Sequence, residues 1–373
     1  MVALESVGPV GLWGEPAPRV TRAVDPHACA AAVSMAAVES MLLGGAMVWP
    51  QARLVAPGGT LHPRHYTAPA GPWGPATVRD RLDPVAILQR VRAGCAVAWD
   101  EAHRWHPALA AWVWGLERRL SARVSANLYR TGPEGPAFAP HYDPQNIVVV
   151  QLDGRKRWRV HAPVVPWPTA AQPCPPGGVP PGPVLLDCVL KPGDLLVLPR
   201  GFVHEARALE GPSLHVSLSV LPWTRIDLAR AGGPDADPAV VANRAAIWLD
   251  LGVPGGGLTD PADAAAADRL LDELVDTRQP DLVGALTDAA GIDRLTAGDT
   301  VRPRRSLSRV GLAGEDPRVV APGRTLTFPA VALPALQAAL AGPCRAGALP
   351  DLTPAESVTL ARHLVAEALL TRA

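Results

Sequence analysis

The residues best suited to metal chemistry in this sequence are two histidines and an aspartate in its middle third. His141 and Asp143 lie two positions apart, and side chains two apart on a strand point to the same face. His204 lies 61 positions after Asp143 and directly follows a turn-like PRGFV run. A strand that returns His204 beside the first pair would complete two histidines and one carboxylate, a set that binds Fe(II) and leaves coordination positions open.

The glycines and prolines around these three residues also follow a known pattern. A Gly-x5-His-x-Asp run ends at Asp143, and a Gly-x5-Pro-x-Gly-x2-His run ends at His204. Both runs are close to the two halves of the cupin signature, in which such residues shape the turns that bring two strands to one metal. Four-ligand cupins carry a second histidine where this chain has Asp143, and an asparagine where it has Ala208. These departures favour the oxygenase branch.

Residues 123–221 are expected to supply the strands that position this set. Short runs such as NIVVVQL, DLLVLP and LHVSLSV alternate with turn-like GPEGP, KPGD and PRG, which is typical of a β-sandwich or barrel. The pair Asp153-Gly154 predicts a hairpin turn within QLDGRKRW. Residues 163–183 are too rich in proline to hold a ladder, so they predict a long loop.

Helical patterns flank the strand-rich stretch on both sides. Before it, Asp-Pro pairs at Asp25 and Asp83 predict helix starts, and apolar residues recur at helical spacing from Pro107 to about Leu120. After about residue 226 the chain turns helical again, and a Thr-Pro-Ala-Glu run at Thr353 predicts a capping box. Three tryptophans in the helical stretch before the strands are better explained by core packing than by a substrate groove: Trp105, Trp112 and Trp114.

The segments ANLYRTGPEGPAFAPHYDPQNIVVVQLDGRKRWRV and VLKPGDLLVLPRGFVHEA resemble the JmjC-type ribosomal oxygenases and their bacterial relatives of cupin superfamily 8. The resemblance covers about residues 90–221. It implies an α+β fold, in which a double-stranded β-helix (the cupin or JmjC jelly roll) with N-terminal α/β decoration occupies residues 1–225. The order of the later elements resembles the same family, and implies a helical dimerisation segment over 226–290 and a winged-helix-like domain over 291–373.

The same resemblance implies a role for each residue of the site. Fe(II) would be held by His141, Asp143 and His204, with 2-oxoglutarate and O2 as cosubstrates and no further catalytic side chain. Lys156 lies where the family places the basic residue that pairs with the distal carboxylate of 2-oxoglutarate. Three further residues match positions that line the same pocket: Asn127, Tyr129 and Ser217. No substrate-binding residue is predicted, and His215 stays open between a buried packing residue and a neighbour of the site.

The lysine count supports Lys156 independently of the resemblance. Two of the 35 basic side chains are lysine, Lys156 and Lys191, so arginine is the default cation of this chain. Lys156 stands between Arg155 and Arg157, which strand alternation places on the opposite face. If the two arginines face solvent, Lys156 points into the barrel, where a buried ammonium needs an anion.

Composition argues against several other classes of protein. Lys+Arg and Asp+Glu both number 35, so a strongly basic nucleic-acid binder is not expected. No apolar run is long enough to cross a bilayer, and no signal-peptide pattern opens the chain, which favours a cytoplasmic protein. The five cysteines are scattered singly, which argues against a disulfide scaffold.

The sequence thus predicts a 2-oxoglutarate-dependent hydroxylase that acts on an amino-acid side chain of a protein or peptide, as a homodimer. A small-molecule or biosynthetic-peptide oxygenase of the same fold is an alternative that the sequence does not separate from it. A metal-binding cupin without oxygenase activity is a third interpretation. The intact ligand set together with Lys156 speaks against that third interpretation.

Overall fold

The computed structural model describes residues 17–22, 33–43, 47–56, 59–73, 75–133, 138–221, 223–231 and 261–373. These residues fall into two compact units that divide after Asp227. The described residues up to Asp227 form the first unit, and those from Leu228 onward form the second. No helix of the described residues is both long and apolar enough to cross a membrane.

The first unit is built on one antiparallel sheet of nine strands. These strands are β1 (Arg19–Thr21), β2 (Ala52–Ala56), β3 (Gly59–Thr60), β6 (Ala96–Trp99), β7 (Arg123–Thr131), β8 (Asn146–His161), β9 (Val184–Leu190), β10 (Leu195–Leu198) and β11 (Val203–Leu221). Eight of them follow the order β1-β10-β8-β11-β7-β6-β2-β3, and β9 pairs with β8 outside that path. A separate small sheet pairs β4 (Gly71–Trp73) with β5 (Ala76–Val78).

Helices cover one face of this sheet and close the main apolar core. Their bounds are α1 (Met35–Leu43), α2 (Pro84–Arg92) and α3 (Pro107–Leu120). The short helix α4 (Arg225–Arg230) lies where the chain passes from the first unit to the second. Helix α2 starts where the sequence predicts, because the Asp83 carboxylate accepts hydrogen bonds from the first free amides of the helix. Helix α3 has the predicted bounds. Its tryptophans Trp112 and Trp114 are buried, and Trp105 packs against the core, so the core-packing interpretation is confirmed. The helix start predicted at Asp25 lies outside the described residues.

The hairpin predicted at Asp153-Gly154 is wrong. Strand β8 runs from Asn146 to His161 without a turn, and the irregularity lies on β11, where Glu210–Ser213 stand opposite Gly154. Gly154 has a φ of +66°, and a Cβ there would lie 2.1 Å from the Pro212 carbonyl oxygen. A close approach of two backbones, and not a turn, therefore requires glycine at this position. The long loop predicted over 163–183 does lack regular structure.

Alanine at Gly154 should destabilise the first unit far more than alanine at Gly177. The two glycines have φ of +66° and +88°, so each substitution carries a backbone cost of about 1–2 kcal/mol. No described atom lies within 4 Å of a Cβ built at Gly177, whereas one at Gly154 meets backbone. We therefore expect Gly154→Ala to lower the free energy of unfolding by at least about 3 kcal/mol.

Urea unfolding followed by tryptophan fluorescence measures this difference in the first unit, because residues 261–373 contain no tryptophan. Gly177→Ala is the matched control, since it shares the backbone cost and lacks the collision. Equal unfolding midpoints for the two variants would contradict the close approach at Gly154.

The second unit combines four-turn and shorter helices with two small antiparallel sheets. Its helices are α5 (Pro261–Asp276), α6 (Ala285–Ala290), α7 (Leu333–Ala341) and α8 (Pro354–Ala366). One sheet orders β16 (Cys344–Arg345), β12 (Thr300–Pro303) and β17 (Leu370–Arg372), and the other orders β13 (Arg309–Ala313), β14 (Asp316–Ala321) and β15 (Arg324–Thr327). The predicted capping box is confirmed: Thr353 and Glu356 exchange side-chain to backbone hydrogen bonds at the start of α8.

Much of the dimerisation segment predicted over 226–290 lies outside the described residues, because 232–260 are not among them. The winged-helix-like assignment of 291–373 and the domain bounds at 225 and 290 stay predictions.

Candidate metal centre

The three side chains predicted as metal ligands meet in a cavity of the first unit. His141, Asp143 and His204 place their candidate ligand atoms within 4.8 Å of one another. The Asp143 Oδ2 atom lies 3.9 Å from His141 Nε2 and 3.6 Å from His204 Nε2. Ligand atoms at this spacing can share one ion, because bonds from histidine and carboxylate to a metal are about 2 Å long.

Backbone bridging, and not one continuous strand, brings the three residues together. His204 belongs to β11, whereas His141 and Asp143 lie ahead of β8 in a stretch without a regular strand. An isolated antiparallel bridge joins His141 to His204 through backbone hydrogen bonds of 3.1 and 2.8 Å. The Asp143 carbonyl also accepts a hydrogen bond of 3.0 Å from the Gly201 amide. The expected placement of His141 and Asp143 on one barrel strand is therefore wrong, although the same three side chains still converge.

Both histidines turn the same nitrogen toward the cavity. The His141 Nδ1 atom lies 2.8 Å from the Ala139 carbonyl oxygen, and the His204 Nδ1 atom lies 3.1 Å from the Phe202 carbonyl oxygen. Each Nδ1–H therefore donates to the backbone and leaves the Nε2 lone pair for a metal. Burial, and next the nearby His141, lowers the pKa of His204 to about 4, so this imidazole is neutral at neutral pH.

Lys156 lines the same cavity, which has a volume of about 420 Å³. Its side chain is 1% exposed, and its Nζ donates to Thr131 Oγ1 at 2.9 Å and lies 3.4 Å from His215 Nδ1. Burial lowers the pKa of Lys156 to about 7. Within the described part of the chain no carboxylate pairs with this amine, so its charged form lacks a counter-ion.

The arginines on either side of Lys156 point the other way. Arg155 pairs with Glu210 at 2.9 Å, and Arg157 pairs with Asp187 at 2.6 Å, all with partly exposed side chains. The alternation predicted for this stretch of β8 is therefore confirmed, and it turns Lys156 inward.

Aromatic side chains form a wall beside the Lys156 amine. Tyr129 stacks on His215 with ring centroids 5.0 Å apart, and the Trp158 ring meets His215 edge-on at 5.3 Å. Burial raises the pKa of Tyr129, while burial and next the Lys156 charge lower the pKa of His215, so both side chains are neutral at neutral pH. His215 is not part of the three-residue ligand group and lies against Lys156 as a neighbour of the site.

The two remaining residues predicted for the cosubstrate pocket also line this cavity. Asn127 on β7 and Ser217 on β11 are directly paired across the sheet. The Asn127 Oδ1 atom accepts a hydrogen bond of 2.9 Å from the Glu101 amide, which fixes its carboxamide. The structure thus brings every residue predicted for the site into one cavity.

The sequence prediction missed other residues at this cavity. The Arg53 guanidinium is held by Asp100 through hydrogen bonds of 2.6 and 3.1 Å, and lies 5.5 Å from the centre of the Phe138 ring. Nothing in their spacing signals that these residues, from β2, the end of β6 and the stretch before His141, share one site. Thr131 could have been predicted, because it follows Asn127 and Tyr129 at the two-residue spacing that places side chains on one face of β7.

The region that contains this site matches known proteins. A family model described as JmjC domain matches residues 106–228. Ribosomal oxygenase 1 of Bos taurus is 37% identical over 146 residues, which cover 37% of this chain and 21% of that protein. The Drosophila persimilis protein named bifunctional lysine-specific demethylase and histidyl-hydroxylase NO66 is 35% identical over 143 residues, which cover 37% of this chain and 20% of that protein. The chain thus spans about a fifth of the length of these relatives.

Solved structures extend the likeness over nearly the whole chain. The crystal structure of Escherichia coli ribosomal oxygenase YcfD covers 97% of this chain and 96% of that one, with a TM-score of 0.51 and 20% identity. A second YcfD structure, in complex with cobalt and 2-oxoglutarate, covers 96% and 95%, with a TM-score of 0.51 and 21% identity. At this identity the likeness establishes the fold, a JmjC or cupin-type fold of mixed helices and antiparallel sheets, as predicted. The resemblance stated from the sequence is confirmed, because the JmjC domain model matches residues 106–228.

Proposed function

We propose that this protein is an Fe(II)- and 2-oxoglutarate-dependent dioxygenase that hydroxylates an amino-acid side chain in a protein or peptide. One observation carries the proposal: His141, Asp143 and His204 converge in the same cavity as the buried Lys156 amine. The names of the similar proteins, ribosomal oxygenase and histidyl-hydroxylase, support a protein substrate.

The residues of the cavity fit both the metal and the cosubstrate. Two imidazole nitrogens and one carboxylate would hold an Fe(II) ion and leave coordination positions open for a cosubstrate. Asp143 would offset part of the charge of a bound metal ion. A dicarboxylate that reaches from the metal to Lys156 would supply the anion that the buried ammonium lacks.

Fe(II), with 2-oxoglutarate and O2, supplies the oxidising chemistry when bound. The protein's own side chains would bind and orient the metal and the cosubstrate. Lys156 would donate hydrogen bonds to the distal carboxylate of bound 2-oxoglutarate, and Thr131 and the neutral His215 hold its amine in place. The rings of Tyr129 and Trp158 keep water from the amine, which strengthens its attraction for a carboxylate. Because the metal and cosubstrate carry the reaction, no side chain is assigned as a general base.

Two alternatives remain in view. An oxygenase that acts on a small molecule or a biosynthetic peptide would use the same cavity, and the relatives' names favour a protein target over it. A metal-binding cupin without oxygenase activity is disfavoured, because it would have no use for a buried cation without a counter-ion beside the metal.

We further propose that residues 226–290 pair two chains as a homodimer and that 291–373 form a winged-helix-like domain that contacts protein. Balanced charge supports a protein partner over nucleic acid, since Lys+Arg and Asp+Glu both number 35. The cytoplasmic location expected from the sequence is part of the same proposal.

The purified protein, supplied with Fe(II) and ascorbate, should convert 2-oxoglutarate slowly to succinate. Host ribosomal proteins and peptides incubated with it should gain the mass of one oxygen atom in mass spectrometry, and His204→Ala protein is the matched inactive control. Absence of succinate would contradict an oxygenase. Turnover that a small-molecule extract stimulates, with no oxygen added to any polypeptide, would favour the first alternative instead.

A further inference from the structure

A second cavity, of about 280 Å³, lies on the opposite face of the sheet from the metal centre. On β7, Tyr129 lines the metal cavity, and its neighbour Arg130 lines the second cavity. Successive residues of a strand face opposite sides, so a single layer of backbone separates the two cavities. On β6, Val97 pairs with Arg130 and, together with Trp99, lines the second cavity.

The walls of this cavity are apolar and come from helices α1 and α2. They are formed by Met35, Val38, Leu42, Ile87, Leu88 and Val91. Leu88, which lines the cavity from α2, is 61% exposed. Exposed aliphatic side chains beside an apolar cavity extend the surface that an apolar ligand can cover.

Two hydrogen-bond donors at this cavity have no acceptor. The Arg130 Nη1 and Trp99 Nε1 atoms are both buried without a hydrogen-bond partner, and Trp99 as a whole is 1% exposed. Within the described residues Arg130 makes no ion pair, and Glu39, the one carboxylate of the lining, is exposed and does not contact it within ion-pair distance. A buried donor without a partner costs free energy, and a guanidinium meets that need best with a carboxylate.

We propose that this cavity binds an unbranched aliphatic carboxylate, with its head group on Arg130 and its chain between α1 and α2. At about 30 Å³ per water-sized group the cavity holds roughly nine such groups, which suits an acid of about eight to ten carbons. A peptide segment fits less well, because its backbone amides and carbonyls would need hydrogen-bond partners that these apolar walls do not supply. A nucleotide or free phosphate would leave the apolar walls of the cavity in contact with water.

Titration calorimetry of the full chain with decanoate, octanoate and decanamide tests this site. Decanoate should bind about fifteenfold more tightly than octanoate, because each buried methylene is worth about fourfold in affinity. Decanamide, which has the same chain without the charge, should bind about tenfold to a hundredfold more weakly than decanoate. Arg130→Met should lower the decanoate affinity to the level of decanamide, while Arg90→Met, an exposed arginine of α2, should leave it unchanged.

Two more variants keep the proposal falsifiable if Arg130→Met does not fold. Leu88→Glu changes an exposed residue of the cavity wall, and should weaken decanoate at least tenfold more than it weakens decanamide, because the new carboxylate repels only the charged ligand. Lys156→Ala should leave decanoate binding unchanged, because Lys156 lies in the metal cavity. Equal binding of decanoate and decanamide, no binding at millimolar concentration, or a loss caused by Lys156→Ala but not by Leu88→Glu would overturn the proposal.

Discussion

Replacing His204 with alanine should abolish both Fe(II) binding and the conversion of 2-oxoglutarate to succinate. The variant would keep one imidazole and one carboxylate of the three ligands, and removing a ligand costs more than the tenfold to hundredfold affinity loss caused by changing its hydrogen-bond partner. His141→Ala and Asp143→Ala should have the same effect. We expect turnover in each variant to fall by more than about a hundredfold.

Metal analysis after desalting, together with a succinate assay, checks this expectation. His215→Ala is the matched control for metal binding, because this imidazole lines the same cavity and stands outside the ligand group. It should retain one Fe(II) per chain. Full turnover in His141→Ala or His204→Ala protein would contradict the assignment of these ligands.

Lys156→Ala should raise the KM for 2-oxoglutarate by about tenfold to a hundredfold or more and leave Fe(II) binding nearly intact. The substitution removes the amine that would pair with the distal carboxylate, and a hydrogen bond between charged groups contributes about 1.5–3 kcal/mol or more when buried. Steady-state kinetics with separate metal titration distinguish this outcome from the loss of the metal itself. An unchanged KM would refute the role of Lys156.

The same lysine should make cosubstrate affinity depend on pH. Burial lowers its pKa from 10.5 to about 7, so above pH 7 the empty site holds mostly neutral amine. Binding a dicarboxylate must then take up a proton, and the KM should rise up to tenfold for each pH unit above 7. In the unliganded protein the unfolded chain binds more protons between pH 7 and 10.5, so this group makes stability rise with pH across that window.

The Lys156→Arg variant distinguishes the effect of the positive charge from the effect of losing that charge as the pH rises. Arginine stays protonated throughout this range, so the variant should keep partial function and lose the rise in KM above pH 7. A KM that rises equally in both proteins would assign the pH dependence to another group.

The metal centre was predictable because its signals are local and redundant. The two-residue spacing of His141 and Asp143 and the turn residues before His204 each indicate the same site. The cap at Asp83 and the capping box at Thr353 were predictable for the same reason, since each helix start is specified within four residues. Lys156 was predicted from the resemblance and from the scarcity of lysine in the chain, and strand alternation supported its inward direction.

The errors arose where distant segments decide the local structure. An Asp-Gly pair signals a hairpin, yet at Gly154 the glycine is required by the carbonyl of Pro212, far along the chain. His141 and Asp143 do not share a regular strand, because a bridge to His204 replaces the ladder. Arg53 meets the cavity through tertiary packing, which no spacing in its own segment encodes.

The two halves of the metal centre are anchored very differently, and they should open at different free-energy cost. His204 is part of β11, which is hydrogen-bonded to β7 along one part and to β8 along nearly its whole length. His141 and Asp143 are held by isolated backbone bonds to His204 and Gly201. Segments with fewer such bonds open locally at lower cost. An Fe(II) ion held by all three ligands would tie this segment more firmly to β11, and loss of the ion would lower the free-energy cost of opening the segment while the sheet stays folded.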